Sequence, residues 1–73
     1  MDYVDRLTEL RVDRDLNQEE IANLLECQQS AISKYEQRRA MYKIDDLIKL
    51  CKYYGISADY ILGLPKGLKY PDR

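Results

Sequence analysis

Histidine is missing from the 73-residue sequence, and cysteine occurs only at Cys27 and Cys51. Two isolated thiols without imidazole cannot complete a tetrahedral zinc site, so no metal is expected. Both cysteines fall at apolar-periodic positions and nothing suggests export, so buried, unpaired thiols are expected in place of a disulfide. Three glycines and two prolines leave nothing from which to build an internal linker. The longest apolar runs are two or three residues, far short of the roughly 20 needed to cross a bilayer as a helix. The opening MDYVDRLTEL has neither the basic flank nor the apolar stretch of a secretory signal. A soluble, cytoplasmic chain without a membrane partner is expected.

The length sets a further bound. A chain this short forms one domain and buries roughly 60% of its unfolded surface, with little room for an enclosed substrate pocket. Residues 1–73 are therefore read as one domain ending in a short tail, 65–73. Net charge is −1, but it is unevenly spread. Residues 1–26 set three arginines against eight acids, net −5. Residues 27–43 set Lys34, Arg38, Arg39 and Lys43 against Glu36 alone, net +3, and the remainder is +1. A polyanion responds to the local field rather than to the total.

Apolar spacing is helical throughout, and no run alternates as a strand does. Val4, Leu7, Leu10 and Arg11 share a face, which predicts a first helix over about 2–13. Asn17 stands at an N-cap position with Glu20 three residues on, a near capping box for a second helix over 18–25. Its stripe is Ile21, Ala22, Leu24 and Leu25, and Glu19 and Glu20 suit the helix dipole. After a turn at Glu26 and Cys27, a third helix is predicted over about 28–37. Ala31, Ile32 and Tyr35 face inward, which leaves Gln29, Ser30, Ser33, Lys34 and Gln37 on the open side. RRAMYK reads as a loop. A fourth helix over about 44–54 buries Ile44, Leu47, Leu50, Cys51 and Tyr54, and Gly55 ends it. Ser57 caps a fifth short helix that stops at Gly63. The fold class is all-α, with five helices.

The stretch LNQEEIANLLECQQSAISKYE resembles the helix-turn-helix of the Xre/Cro family, the group that includes lambdoid-phage repressors. Ala22 is small where the third helix crosses the second. Ile21, Leu25 and Cys27 line the apolar side of the second helix and turn, and Ile32 and Tyr35 anchor the third helix. The resemblance continues through LIKLCKYYGISADYILGL and covers about residues 3–64. It implies a five-helix, lambda-repressor-like DNA-binding domain with its motif at about 18–37. Two positions depart from the family's pattern: Glu26 and Arg38 stand where glycine is frequent. Both sites are expected to need positive φ, at about 1 kcal/mol for a non-glycine residue.

The resemblance also assigns roles. Gln18, opening the second helix, is expected to bond a DNA phosphate, helped by the helix N-terminus. Gln28, Gln29 and Ser30 occupy the turn that enters the major groove in this family. A glutamine amide offers one donor and one acceptor, matching N7 and N6 of adenine. Gln28 is expected to be partly used as an N-cap, which leaves Gln29 as the better reader. Ser33 and Lys34 follow one turn later, with Lys34 aimed at guanine or at a phosphate. Arg38, Arg39 and Lys43 are candidate phosphate clamps, and Arg11 with Glu36 a stabilising ion pair. Ser33 and Lys34 make no nucleophile–base pair, because helical neighbours point about 100° apart. No enzyme activity, cofactor or small-molecule effector is therefore expected. The expected function is transcriptional regulation, as a repressor, by a homodimer on an operator in double-stranded DNA. The apolar residues Tyr60, Ile61, Leu64, Pro65, Leu68 and Tyr70 exceed what the fifth helix can bury, and some of them are expected to form the dimer contact. The competing reading is a protein-interaction module of the same fold, of antitoxin or anti-repressor type, favoured by the acidic first third.

Overall fold

A computed structural model describes residues 2–71; Met1 and the last two residues of the expected tail, Asp72 and Arg73, lie outside the described residues. Five helices follow one another without a strand among the described residues: α1 (Tyr3–Asp13), α2 (Gln18–Leu25), α3 (Gln29–Glu36), α4 (Ile44–Tyr54) and α5 (Ala58–Leu62). None is long and apolar enough to cross a membrane.

Local chemistry explains where the helices begin. Asp2, Asn17 and Ser57 cap α1, α2 and α5, each accepting a bond from the backbone N–H three residues on. Such a bond satisfies one of the amides that a helix start leaves unpaired. The five ends also share one device. A residue in the left-handed region closes each helix: Asp15 (φ 56°), Glu26 (56°), Arg38 (60°), Gly55 (67°) and Gly63 (69°). The amide of the next residue then bonds back to a carbonyl in the last turn, at 3.0 Å for Leu16 to Arg11, 2.9 Å for Cys27 to Ala22 and 2.8 Å for Arg39 to Lys34. Ile56 to Cys51 (3.1 Å) and Leu64 to Asp59 (3.0 Å) repeat it. This pattern satisfies the last carbonyls and turns the chain sharply. Positive φ at Glu26 and Arg38 agrees with the expectation; Asp15 adds a third non-glycine residue there.

The core gathers Leu7 from α1, Ile21, Ala22 and Leu25 from α2, Ile32 and Tyr35 from α3, Leu50 and Tyr54 from α4, and Ile61 from α5. Ile32 is wholly buried, and α3 packs on both α1 and α2. Two expectations need correction. Ile44 is 71% exposed: it is the first residue of α4 and lies at the edge of the apolar stripe, about 120° around the helix from Leu50. Cys27 and Cys51 are free thiols, but only half-buried. Of the late apolar residues, Ile61 is 1% exposed and belongs to the core, while Tyr60, Leu64, Leu68 and Tyr70 stay exposed. The loop expected between α3 and α4 is present, and one of its residues joins the core. Its Tyr42 is buried, with its ring 4.6 Å from that of Tyr35 and 6.2 Å from that of Tyr3. That burial pushes the Tyr42 phenol well above its ordinary pKa.

Candidate nucleic-acid interface

The turn at Glu26 and Cys27 sets the start of α3 beside the start of α2, and the polar side chains there form one connected chain. Gln29 Nε2 donates to Gln18 Oε1 at 2.8 Å, and Gln18 Nε2 donates to Glu36 Oε1 at 2.8 Å. Glu36 also accepts from Arg11, at 2.7 Å from Nε and 3.0 Å from Nη2. Arg11 Nη1 in turn donates to the Leu16 carbonyl at 2.8 Å. The Arg11 and Glu36 side chains are only 16% and 10% exposed. The carboxylate holds the Arg11 guanidinium more firmly protonated than usual, against the opposing effect of burial. The expected ion pair is present, and it ends a relay reaching the first residue of α3.

The relay leaves specific capacity open. Gln29 is exposed; its carbonyl oxygen and second amide hydrogen make no intramolecular bond among the described residues. Gln28 and Ser30 are exposed beside it. Gln28 occupies the N-cap of α3, but its side chain makes no capping bond, contrary to expectation, so its amide is also free. Ser33 is half-buried and accepts from Gln37 Nε2 at 2.8 Å in an exposed bond, which leaves its own O–H to donate. Lys34, Arg39 and Lys43 are exposed and enter no ion pair among the described residues.

Arg38 stands differently from the other cations. Its Nη2 lies 2.8 Å from Asp2 Oδ1 and 2.9 Å from Asp5 Oδ1, tying the end of α3 to the start of α1. These bonds raise the Arg38 pKa, and the guanidinium, aided by the Asp5 backbone amide, lowers that of Asp2. All three side chains of this pairing are about half exposed.

Sequence reasoning treats Glu36 as a stabilising residue only, whereas the structure joins it to the glutamines. One signal is present in the sequence: Gln29 and Glu36 are seven residues apart, which places them on one face of a helix two turns apart.

Three kinds of relative resemble the chain in sequence or fold. A family model described as a helix-turn-helix domain matches residues 5–66. The cryptic phage CTXphi transcriptional repressor RstR of Vibrio cholerae is 37% identical over 54 residues, covering 74% of this chain and 49% of that protein. The uncharacterized HTH-type transcriptional regulator YobD of Bacillus subtilis is 36% identical over 62 residues, 85% of this chain and 55% of that protein. The chain thus spans about half the length of these curated relatives. A transcriptional regulator from Listeria innocua superposes with TM-score 0.81 at 25% identity, over 94% of this chain and 64% of that one. The P22 c2 repressor, solved in complex with a synthetic operator, superposes with TM-score 0.74 at 22% identity, over 85% of this chain and 94% of that one, a likeness of fold. With 62 of its residues inside the matched span and all five helices in place, the chain belongs to the helix-turn-helix domain family.

Proposed function

We propose that the chain is a sequence-specific, double-stranded-DNA-binding transcriptional regulator, acting as a repressor with α3 in the major groove. The observation that carries this reading is the exposed amide of Gln29 at the start of α3, bonded on one side and open on the other. Its free oxygen and N–H are the acceptor and donor that match the major-groove edge of adenine. Gln28 and Ser30 extend the reading edge. Gln18 has one amide hydrogen left for a phosphate at the start of α2, where the helix dipole favours an anion. Lys34, Arg39 and Lys43 supply unpaired positive charge, and Arg38 joins them if phosphate displaces Asp2 and Asp5. Relatives named as a phage transcriptional repressor and a transcriptional regulator support the same reading.

The chain acts by occupying an operator in the cytoplasm, without chemistry of its own. Ser33 and Lys34, a neighbouring hydroxyl and amine, are not arranged as nucleophile and base: the Ser33 oxygen accepts from Gln37. It works as a homodimer, because one domain reads too few base pairs for useful specificity and a two-fold partner adds a second half-site about 34 Å away. The test combines a salt titration with selection of bound sites from a random duplex pool. Affinity is expected to fall with salt with a log–log slope of about −0.9 per phosphate contacted, and one sequence is expected to be enriched. Binding that ignores salt, or no binding at low salt, rules the reading out and leaves the protein-interaction alternative.

A further inference from the structure

Amide orientation in the relay is decided at its far end. A glutamine amide is nearly symmetric in shape, so turning it by half a circle exchanges a donor for an acceptor at little steric cost. Glu36 removes that freedom from Gln18. A carboxylate paired to arginine is acceptor-only, so the Gln18 group 2.8 Å from Glu36 Oε1 must be its –NH2. The Gln18 oxygen therefore faces Gln29 and requires that the Gln29 group 2.8 Å away is also –NH2. Gln29 is left with its oxygen and one N–H in a fixed order at the exposed end. If Gln18 turned over, its oxygen would face the Glu36 oxygen at hydrogen-bond distance, acceptor against acceptor, in a site that is mostly shielded from water. Glu36 cannot itself swing away, because two Arg11 bonds hold it and the Leu16 carbonyl holds Arg11.

We propose that Glu36 is a positioning residue for base recognition, setting the donor–acceptor order of Gln29 through Gln18. The inference rests on the DNA-binding reading above and deepens it. Glu36 lies two turns along α3 from Gln29, about 10 Å of helix rise, so it does not share a base pair with it. Its influence passes through the amides. A fixed order matches adenine in one pose, whereas a reversed order sets oxygen against N7 and N–H against the N6 amino group, and both bonds are lost.

The test uses a duplex selected from a random pool and its single-base-pair variants, with the ratio of affinities as the readout. Glu36→Gln makes the anchor able to donate or accept, so Gln18 and Gln29 can turn over. Preference at one base pair is expected to fall about fivefold or more. Gln18→Met cuts the same relay while leaving the Arg11–Glu36 pair intact, and it carries the test should Glu36→Gln fail to fold. It should lower preference at the same base pair. Added to Gln18→Met, Glu36→Gln should cause no further loss of preference, since residues acting through one another are not additive. Ile61→Ala, a core change on α5 outside the relay, controls for lost stability and should leave the ratio unchanged. A preference that survives both Glu36→Gln and Gln18→Met overturns the inference and leaves the DNA-binding reading standing. A wild-type chain with no preference at any base pair overturns both.

Discussion

On the DNA-binding reading, Gln29 and Arg39 engage different parts of the duplex, so their loss is expected to differ in kind. Gln29→Ala removes a bidentate base contact and should cost about 1–3 kcal/mol on the preferred site, with random duplex bound nearly as before. Arg39→Ala should weaken all sequences alike and flatten the salt slope by about one unit. Titrations on specific and random duplex at several salt concentrations separate the two; equal losses on both for each variant would remove the base-reading role. Arg38 is a third case, since its backbone and its side chain pull in opposite directions. Arg38→Ala keeps the left-handed φ and loses the bonds to Asp2 and Asp5. Arg38→Gly loses the same bonds but relieves the backbone, so it should melt above Arg38→Ala. Because the folded pKa of Asp2 is lowered, mainly by Arg38, the pairing stabilises above the ordinary carboxylate pKa of about 4 and is lost as pH falls through the depressed value. The melting difference between wild type and Arg38→Ala should therefore shrink in acid. The family resemblance marks Gln18 and Gln29 in the sequence, and Arg38 is marked by its charge and its place just after the third helix. Their partners are not legible there, because Gln18 meets Glu36, and Arg38 meets Asp2, only once α1, α2 and α3 have closed on one another.

Caps and left-handed ends fix the bounds of the elements, and those signals are local, which is why the helix limits can be read almost to the residue. Which face of a helix meets its neighbours is a tertiary question. Helix α4 is the clear instance: Ile44, Leu47, Ile48, Leu50, Cys51 and Tyr54 form a stripe wider than one contact can cover. Leu50 and Tyr54 enter the core, while Ile44 and Ile48 stay exposed and line, with Ala58 and Leu62 of α5, an open apolar channel. Periodicity alone ranks Ile44 and Leu50 together. The structure separates them, and so should mutation. Ile32→Ala, at the wholly buried centre of α3, is expected to cost about 2–5 kcal/mol. Ile44→Ala should change stability by no more than about 0.5 kcal/mol. Denaturant unfolding of the two variants checks this, and a large loss at Ile44 would place it in a folded contact that the isolated chain does not have. Tyr42 shows the converse limit: a tyrosine in a stretch of loop composition gives no periodic sign that it will pack between Tyr35 and Tyr3.

For the whole molecule, total charge is a poor guide and exposed apolar surface a better one. A net charge of −1 conceals Lys34, Arg39 and Lys43 around α3, which have no ion pair among the described residues, while two acids of α1's start are occupied by Arg38. The apolar surplus collects at the other end of the chain. Tyr60, Leu62, Leu64, Leu68 and Tyr70 are each between 43% and 95% exposed, and the α4–α5 channel lies alongside Leu62. On the DNA-binding reading, so much apolar surface on a small domain is expected to be an interaction face, with a second copy as its proposed occupant, since a two-fold pair presents two α3 helices to successive turns of one groove face. Leu62→Asp and Leu68→Asp are expected to leave the monomer folded, because neither side chain belongs to the core. Each should shift light scattering towards the monomer. Operator affinity should then fall and become more steeply dependent on protein concentration, because dimerisation must be driven by the DNA itself. Affinity for a single half-site should be unchanged in both variants, since α3 and its relay are untouched. A wild-type chain that stays monomeric with and without DNA, and binds one half-site as tightly as two, would exclude the paired arrangement while leaving base reading by α3 intact.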